Sequence, residues 1–452
     1  MRIGIYLGRH AGAGGGIAVY SRSLLLDMLE IVGERSHEED ELVFYVDSAF
    51  LTEDVKRVFQ LSEVLTCFSQ ESFGFGAGQY FKPLPNGARA RVLIRVLPKA
   101  LGHRSGILLD QLFLPIFAKI DRLDLLHSSA NLAAVASSCP QVVTVHDLYQ
   151  GWPVGLEGEG RGKISRIVRL LYRRMFKAQF KKIEHTITDA RFLAEEIYRR
   201  FSFDKAKITT IPLGLDAVFS EFKQSLQNES SGEKLSAQEL LELCPSVNEE
   251  IGEKIESGFV LFFASLDPRK NLERSLRAWV NLDQTQQGAS LLIVTSSKRV
   301  RKACKQILSA SGFAFAKEQG AKEQGVSVVF VDWLPRTEMP PLISAAEVLL
   351  VPTLAEGFGL PAFEAISLGT KVVTGKVEIV ADLSSSLSYF CKPESEADIS
   401  RALKSALNDE VLSSSVSPGQ TSKNRVALLE RTMRDAARET YLIYQKLALR
   451  VG

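Results

Sequence analysis

The chain has 452 residues, 45% of them hydrophobic and 24% charged, with a formal net charge of +2 at pH 7. These values exclude a disordered polyelectrolyte, a disulfide-stapled miniprotein and a protein recruited by bulk charge, and they fit two ordinary domains, three at most. The five cysteines, Cys67, Cys139, Cys244, Cys304 and Cys391, are scattered, with no C-x-x-C pair and no metal-ligand spacing, which fits reduced thiols in a cytoplasmic protein.

The start, M-R-I-G-I-Y-L-G, reads as a short strand followed by glycines and lacks the long apolar region of a signal peptide. Strand-type runs follow in order: E-L-V-F-Y-V, L-D-L-L-H, Q-V-V-T-V-H, H-T-I-T and K-I-T-T-I-P, then F-V-L-F-F-A, S-L-L-I-V-T, V-S-V-V-F-V, E-V-L-L-V-P and K-V-V-T. Helical patterns such as S-R-S-L-L-L-D-M-L-E fall between them, and this alternation predicts parallel sheets with helices on both faces, an α/β architecture. The longest apolar stretch, G-I-L-L-D-Q-L-F-L-P-I-F-A, is interrupted by Asp110, Gln111 and Pro115, so nothing reaches the roughly 20 apolar residues of a membrane span.

The pattern breaks in a polar stretch from Ser220 to Ser257. It divides the chain into a first α/β domain over 1–215, a linker or insertion over 216–257, a second α/β domain over 258–423 and a terminal helical segment over 424–452, with the helix itself at Asn424 to Leu449. The tandem pentad A-K-E-Q-G-A-K-E-Q-G, Ala316 to Gly325, reads as an exposed loop duplication, and a Ser-rich stretch runs from Leu412 to Ser422.

Four sites carry the residue types of ligand chemistry. The first is the glycine cluster A-G-A-G-G-G-I, between the first strand and a helix: its glycines allow close backbone approach and the helix start favours anions, although the same glycines would serve a plain turn. The second is V-V-T-V-H-D-L, where a buried strand ends in His146 and Asp147, placing an imidazole where it can meet a hydroxyl or phosphate, or merely cap the strand. The third is S-L-D-P-R-K-N-L, which puts Arg269 and Lys270 at a helix start; an anion held there would relieve their conflict with the helix dipole. The fourth is A-E-G-F-G-L-P-A-F-E-A, a strand–turn–helix junction with Glu356 on the loop and Glu364 expected in the first helical turn. Its carboxylates suit vicinal hydroxyls and its glycines suit a phosphate.

Together these residues resemble the retaining glycosyltransferases of family four: Glu356 and Glu364 with seven residues between them, G-F-G-L-P inside that interval, the early Gly-Gly-Ile, the H-D strand end, I-P-L-G-L-D from Ile211 to Asp216, and L-D-P-R-K-N. The resemblance implies a GT-B architecture, two Rossmann-like doubly wound domains facing a cleft, with the last helix crossing back to the first domain. It implies that Glu364 holds the nucleotide ribose and Glu356 the hydroxyls of the transferred sugar. Lys270 would neutralise the diphosphate, helped by the backbone at Gly359 and Leu360, with Gly357 and Phe358 in the same donor loop. Gly15 and Gly16 would let the first domain approach the donor, His146 would meet the donor sugar near the reacting carbon, and Gly214 belongs to the same donor-side set. Many members carry an arginine five positions before the lysine; here that position is Ser265, with Arg269 as the replacement cation. The implied chemistry is metal-independent hexosyl transfer from a nucleotide-diphosphate sugar to a glycan or lipid-linked glycan with retention of configuration. No cofactor is expected. The L-D-P-R-K-N and H-D-L pattern favours GDP-mannose over a UDP-sugar as the donor.

Arg161 to Lys182 contains many basic residues and no acidic one, with Ile164, Ile167, Val168, Leu171, Met175 and Ala178 on one helical face. A second basic stretch, 89–99, follows the aromatic loop S-F-G-F-G-A-G-Q-Y-F. Both fit a peripheral contact with an anionic membrane on the cytoplasmic side; 161–182 fits equally a core-packed helix with a solvated basic face. The aromatics do not interleave the charges as a nucleic-acid platform would. Two other readings stand beside the transferase: a non-catalytic scaffold of the same fold that binds a nucleotide or a partner, and a nicotinamide oxidoreductase, for which the first-strand fingerprint is incomplete at Ile17.

Overall fold

The structure is a computed structural model that describes residues 1–8, 15–34, 40–46, 77–83, 89–97, 103–148, 163–228, 235–282, 289–313, 328–383, 386–409 and 422–448. Outside the described residues lie the first glycines of the Ala11 cluster, the pentad repeat, most of the Ser-rich stretch, the start of the aromatic loop, and the ends of both basic stretches. The chain forms two compact units, one made of 1–153, 158–216 and 431–452, the other of 154–157 and 217–430.

The first unit contains β1 (Arg2–Tyr6), α1 (Gly16–Glu34), β2 (Glu41–Val46), β3 (Ala77–Pro83), β4 (Arg89–Val96), α2 (His103–Ile120), β5 (Leu125–Ser128), β6 (Gln141–Val145), α3 (Lys163–Gln179), β7 (His185–Thr188), α4 (Arg191–Phe201) and β8 (Ile208–Thr210). They build an eight-stranded sheet in the order β3-β4-β2-β1-β5-β6-β7-β8. All neighbours are parallel except the β3–β4 hairpin at the edge. β1, β2, β5, β6 and β7 are buried almost throughout, as strands covered on both faces must be. Within the basic stretch 89–99, residues 89–96 form β4. Its Arg95 is consumed internally: the guanidinium pairs with buried Asp121 and lies 4.9 Å over the Phe117 ring.

The second unit opens with α5 (Ala217–Asn228), α6 (Ala237–Leu243) and α7 (Glu249–Ile255). The described residues of the expected linker or insertion from 217 onward thus form helices that belong to this unit. A polar stretch can fold so because short helices hold themselves with caps and a few anchors: Ser236 and Glu239 form a reciprocal capping box, Asn248 caps α7, and Phe219, Leu240, Cys244 and Val247 are buried. Then come β9 (Phe259–Phe263), α8 (Leu272–Val280), β10 (Ser290–Val294), α9 (Lys298–Ala310), β11 (Val328–Val331), α10 (Met339–Ala345), β12 (Val348–Val351), α11 (Leu360–Ser367), β13 (Lys371–Thr374), α12 (Glu378–Leu383), β14 (Ser388–Phe390), α13 (Glu396–Leu407) and α14 (Ser422–Glu430). The six strands are all parallel, in the order β11-β10-β9-β12-β13-β14.

The single last helix expected over 424–449 is two helices. α14 ends at Glu430, and α15 (Met433–Ala448) belongs to the first unit, packed on α1. The break is capped: Asp435 accepts from the Thr432 N–H at 2.9 Å, and the Thr432 hydroxyl accepts from the Asp435 N–H at 3.3 Å. Leu215 and Met433 fix the crossing with backbone hydrogen bonds of 2.9 and 2.8 Å.

Both sheets reverse direction once, between β1 and β5 in the first and between β9 and β12 in the second. At such a switch point the flanking loops diverge and leave a crevice at the carboxyl ends of the strands.

Candidate active site

In the second unit, the loops after β9 and β12 meet at the switch point. Asp267 caps a 3-10 turn at Pro268–Lys270, its Oδ1 accepting from the Arg269 N–H at 3.0 Å. Asn271 adopts the left-handed conformation, with φ 56°, and its side-chain amide donates to the carbonyls of Pro352 and Pro393 at 3.0 and 2.6 Å. The backbone of Leu354 donates to the Arg269 carbonyl at 2.8 Å. These bonds lace the two loops together and bring Lys270 to Glu356, where the ammonium and carboxylate form an ion pair. The cations thus sit on a turn that precedes α8, not inside the helix. Arg269 is held by Asp267, Nη2 to Oδ2 at 2.7 Å. Burial opposes the charge on Asp267, but Arg269 outweighs it and keeps that carboxyl below its usual range. Ser265 accepts from the Asp267 N–H at 3.1 Å, so the position of the missing arginine serves the turn.

Past Glu356 the chain turns into α11. Gly359 has φ +87°, and a β-carbon there would stand 2.7 Å from Val377 Cγ1. Only glycine satisfies both constraints. Leu360 and Pro361 open the helix, and no side chain caps it, so its first N–H groups remain available to an anion. Gly357 is buried, and Phe358 is buried edge-on against Phe363, 5.4 Å between centroids; what that position offers a ligand is backbone. A small depression at this point is lined by Thr353, Glu356, Gly359, Thr374 and Val377. Among the described residues, the buried hydroxyls of Thr353 and Thr374 have no hydrogen-bond partner.

Glu364 is the fifth residue of α11, one turn deeper than expected, and only 3% exposed. The N-terminal dipole fades within the first turn, so a buried carboxylate here needs its own counter-charge. Arg336 supplies it, pairing with Glu364 Oε1. The guanidinium carbon of Arg336 lies 4.2 Å over the ring of Phe219 in α5.

In the first unit, Gly15 (φ +120°) and Gly16 start α1, both exposed, with nothing within 4 Å of an added β-carbon. His146 ends β6 and is buried, with both ring nitrogens engaged. Nδ1 reaches Asp189 Oδ2 at 2.6 Å and Nε2 reaches the Ser129 carbonyl at 2.8 Å. Both partners are acceptors in their usual forms, so the two bonds are made together when both nitrogens carry protons. Burial disfavours that imidazolium, but Asp189, the Ser129 carbonyl and Asp147 overcome it and raise the pKa. Nearby His127 goes the other way: burial, then the neighbouring His146, pushes it down to about 3. It sits neutral between Tyr444 of α15 and Thr144. Tyr20 of α1 bonds Thr144 at 3.1 Å and meets the His146 ring edge-on at 4.7 Å. A β-carbon at Gly214 would lie 2.3 Å from the Thr432 carbonyl carbon, so the glycine admits the crossing at Arg431–Thr432.

Sequence reasoning missed Arg336, Asp189, Asp267 and Phe219. Asp189 had a readable signal, since H-T-I-T-D ends a buried strand in a polar residue just as V-V-T-V-H-D does. Arg336 had none, because its partners are 28 and more residues away. On the described part of α3, Met175 of the expected apolar face packs against the core, whereas Leu171 of that face is exposed. Phe176 and Gln179 are buried, with Tyr172 and Met175 packed beside them, while Leu170 and Leu171 are 50% and 46% exposed among exposed Arg174, Lys177 and Lys181. The aromatic cluster of Phe176, Phe180, Phe201 and Phe203 anchors the end of α3, since large rings bury much apolar area. Among the described residues no group of three His, Cys, Asp or Glu side chains is placed to hold a metal, and no helix is long and apolar enough to cross a membrane.

The family model "Glycosyl transferases group 1" matches residues 247–425, and "Glycosyltransferase Family 4" matches 71–219. The serotype-specific mannosyltransferase WbdA of Escherichia coli is 22% identical over 49% of this chain; the matched region is 28% of WbdA's own length, so the chain spans well under half of that relative. The lipopolysaccharide glucosyltransferase WaaG of Escherichia coli K12 is 24% identical over 52% of this chain and 62% of its own. Among solved structures, Anabaena HepE in complex with UDP-glucose superposes with a TM-score of 0.54 at 14% identity, covering 100% of this chain and 99% of that one. Two parallel α/β units, two models that together span well over half the sequence, and full-length structural likeness agree: the chain belongs to the group 1, family 4 glycosyltransferases and has the GT-B type of fold.

Proposed function

We propose that the protein transfers a hexose, mannose by preference, from a nucleotide-diphosphate sugar to a glycan or lipid-linked glycan, with retention of configuration and without a metal. The observation that carries the reading is the Lys270–Glu356 pair beside the uncapped start of α11. Breaking the sugar–phosphate bond places negative charge on the leaving diphosphate. A fixed ammonium and unspent N–H dipoles at one switch point stabilise that charge without reorganising, an effect typically of several kcal/mol. Glu356, released from Lys270, accepts from sugar hydroxyls, and Glu364 accepts from the ribose. The mannosyltransferase among the relatives favours mannose, and the UDP-glucose in the structural neighbour keeps a UDP-sugar as the second donor. No D-x-D stands at a plausible site. The exposed leucines and cations of α3 support contact with an anionic membrane surface, where a lipid-linked acceptor resides.

His146 enters this reading as a support, since its ring is saturated by Asp189 and Ser129. The test is calorimetric titration of the pure protein with GDP and with UDP, using Glu364→Ala as the control. Binding of one nucleotide, lost in the variant, supports the transferase site and selects the donor class. Binding of neither makes the non-catalytic scaffold the better reading, with Ser265 in place of a diphosphate cation as its sequence basis.

A further inference from the structure

Glu364 is a carboxylate with 3% of its surface exposed, on a helix whose terminus lies a turn away. An ion so placed is costly unless paired. Arg336 forms an ion pair with it, and Arg336 is itself seated: its guanidinium carbon lies 4.2 Å over the fully buried ring of Phe219. A guanidinium on an aromatic face keeps its plane and loses little freedom on bonding. Phe219 is rigid in turn because α5 packs into the unit. The result is a three-part stack of ring, guanidinium and carboxylate drawn from three distant parts of the sequence.

We infer that Arg336 is a positioning residue: from its seat on Phe219 it holds Glu364 turned so that the carboxylate presents acceptors to the two vicinal hydroxyls of a nucleotide ribose. The inference rests on the donor-site reading above. Arg336 acts through Glu364 and not on the phosphates, which are assigned to Lys270 and the start of α11. A lysine at 336 would keep the charge but lose the flat contact with Phe219 and the fixed fork toward Glu364.

The test is calorimetry with GDP or UDP, whichever binds, and with the 2′,3′-dideoxy form of the same nucleotide. The unaltered protein prefers the ribonucleotide, and Glu364→Gln removes that preference. Arg336→Gln is expected to weaken the ribonucleotide roughly tenfold, the scale of a hydrogen bond to a charged group, and to leave the dideoxy form unchanged; Arg336→Lys recovers part of the loss. Because Arg336→Gln strands a buried carboxylate, the double variant Arg336→Gln/Glu364→Gln is measured beside Glu364→Gln alone, and the two should bind the ribonucleotide equally. Equal weakening of both nucleotides by Arg336→Gln, or further weakening in the Glu364→Gln background, overturns the inference while leaving the ribose site intact. No preference for the ribonucleotide in the unaltered protein overturns the ribose reading itself, and the inference with it.

Discussion

Lys270 and Glu356, 86 positions apart, neutralise each other across the switch point of the second sheet. The pair balances the charge at this point and makes the two groups separable by experiment. In the proposed donor site a diphosphate would compete with Glu356 for the ammonium, so removing the carboxylate would free the cation. Glu356→Gln is expected to lower kcat by roughly a hundredfold, the scale of losing one preorganised group, while nucleotide-diphosphate affinity holds or tightens. Lys270→Ala is expected to weaken GDP or UDP far more than the matching monophosphate. Initial rates with a hexose donor and parallel titrations check both. An affinity loss in Glu356→Gln as large as the rate loss would take Glu356 off the sugar side.

His146 and Asp189 predict a pH dependence of stability. The folded-state pKa of His146 is raised above 6.5, so the pair contributes fully below that pH and the contribution is lost as pH rises through the folded value. The charged or titratable groups about the ring include Asp189, Asp147, neutral His127 and Tyr20, whose phenol burial keeps protonated, and none reverses the sign. Asp189→Asn should therefore cost most stability near pH 5.5, with the gap to the unaltered protein narrowing toward pH 9. Urea unfolding at the two ends decides it. A gap that widens with pH would mean that the folded protein holds His146 neutral.

Strands buried on both faces were legible because a run such as Q-V-V-T-V states its burial in its own composition. The Gly359 junction was legible because a left-handed turn before a proline-started helix leaves few residue choices. Pairings were not legible. Nothing local in L-P-R-T-E says that Arg336 meets Glu364, nor does A-V-F-S-E say that Phe219 lies beneath it. The helices at 217–255 read as linker because their anchors are few and isolated, and the fit of those anchors is a property of the unit they pack into. Leu171 was misplaced for a related reason: periodicity weighs it equally with Phe176, whereas packing in the first unit chose the ring.

Gly359→Ala tests the loop itself. The substitution puts a β-carbon at φ +87° and within 2.7 Å of Val377 Cγ1. A left-handed alanine costs about 1 kcal/mol, and the clash adds to it, for an expected loss of roughly 1–3 kcal/mol. Gly359→Ala/Val377→Ala removes the clash and keeps the φ penalty, so it should recover part of the loss, less what the deleted valine methyls contribute. Thermal unfolding measures the stability, and nucleotide titration of the same samples shows whether the N–H groups at the start of α11 have moved.

The surface of α3 gives the last prediction. Leu170 and Leu171 are about half exposed and flanked by exposed Arg174, Lys177 and Lys181, while Phe176 carries the burial on the opposite side. Leucines that contribute little to the core can be replaced cheaply, so Leu170→Ser/Leu171→Ser should shift stability by no more than roughly 0.5 kcal/mol per site. The same change removes the apolar part of an interfacial helix, and Arg174→Glu/Lys177→Glu removes the charge, each cation near an anionic surface being worth about 1 kcal/mol. Both double variants are expected to sediment less with vesicles containing phosphatidylserine or phosphatidylglycerol, and salt should weaken the unaltered protein's binding. Sedimentation of the unaltered protein that does not depend on anionic lipid would sink the membrane contact and leave α3 as a packed helix with a solvated basic face.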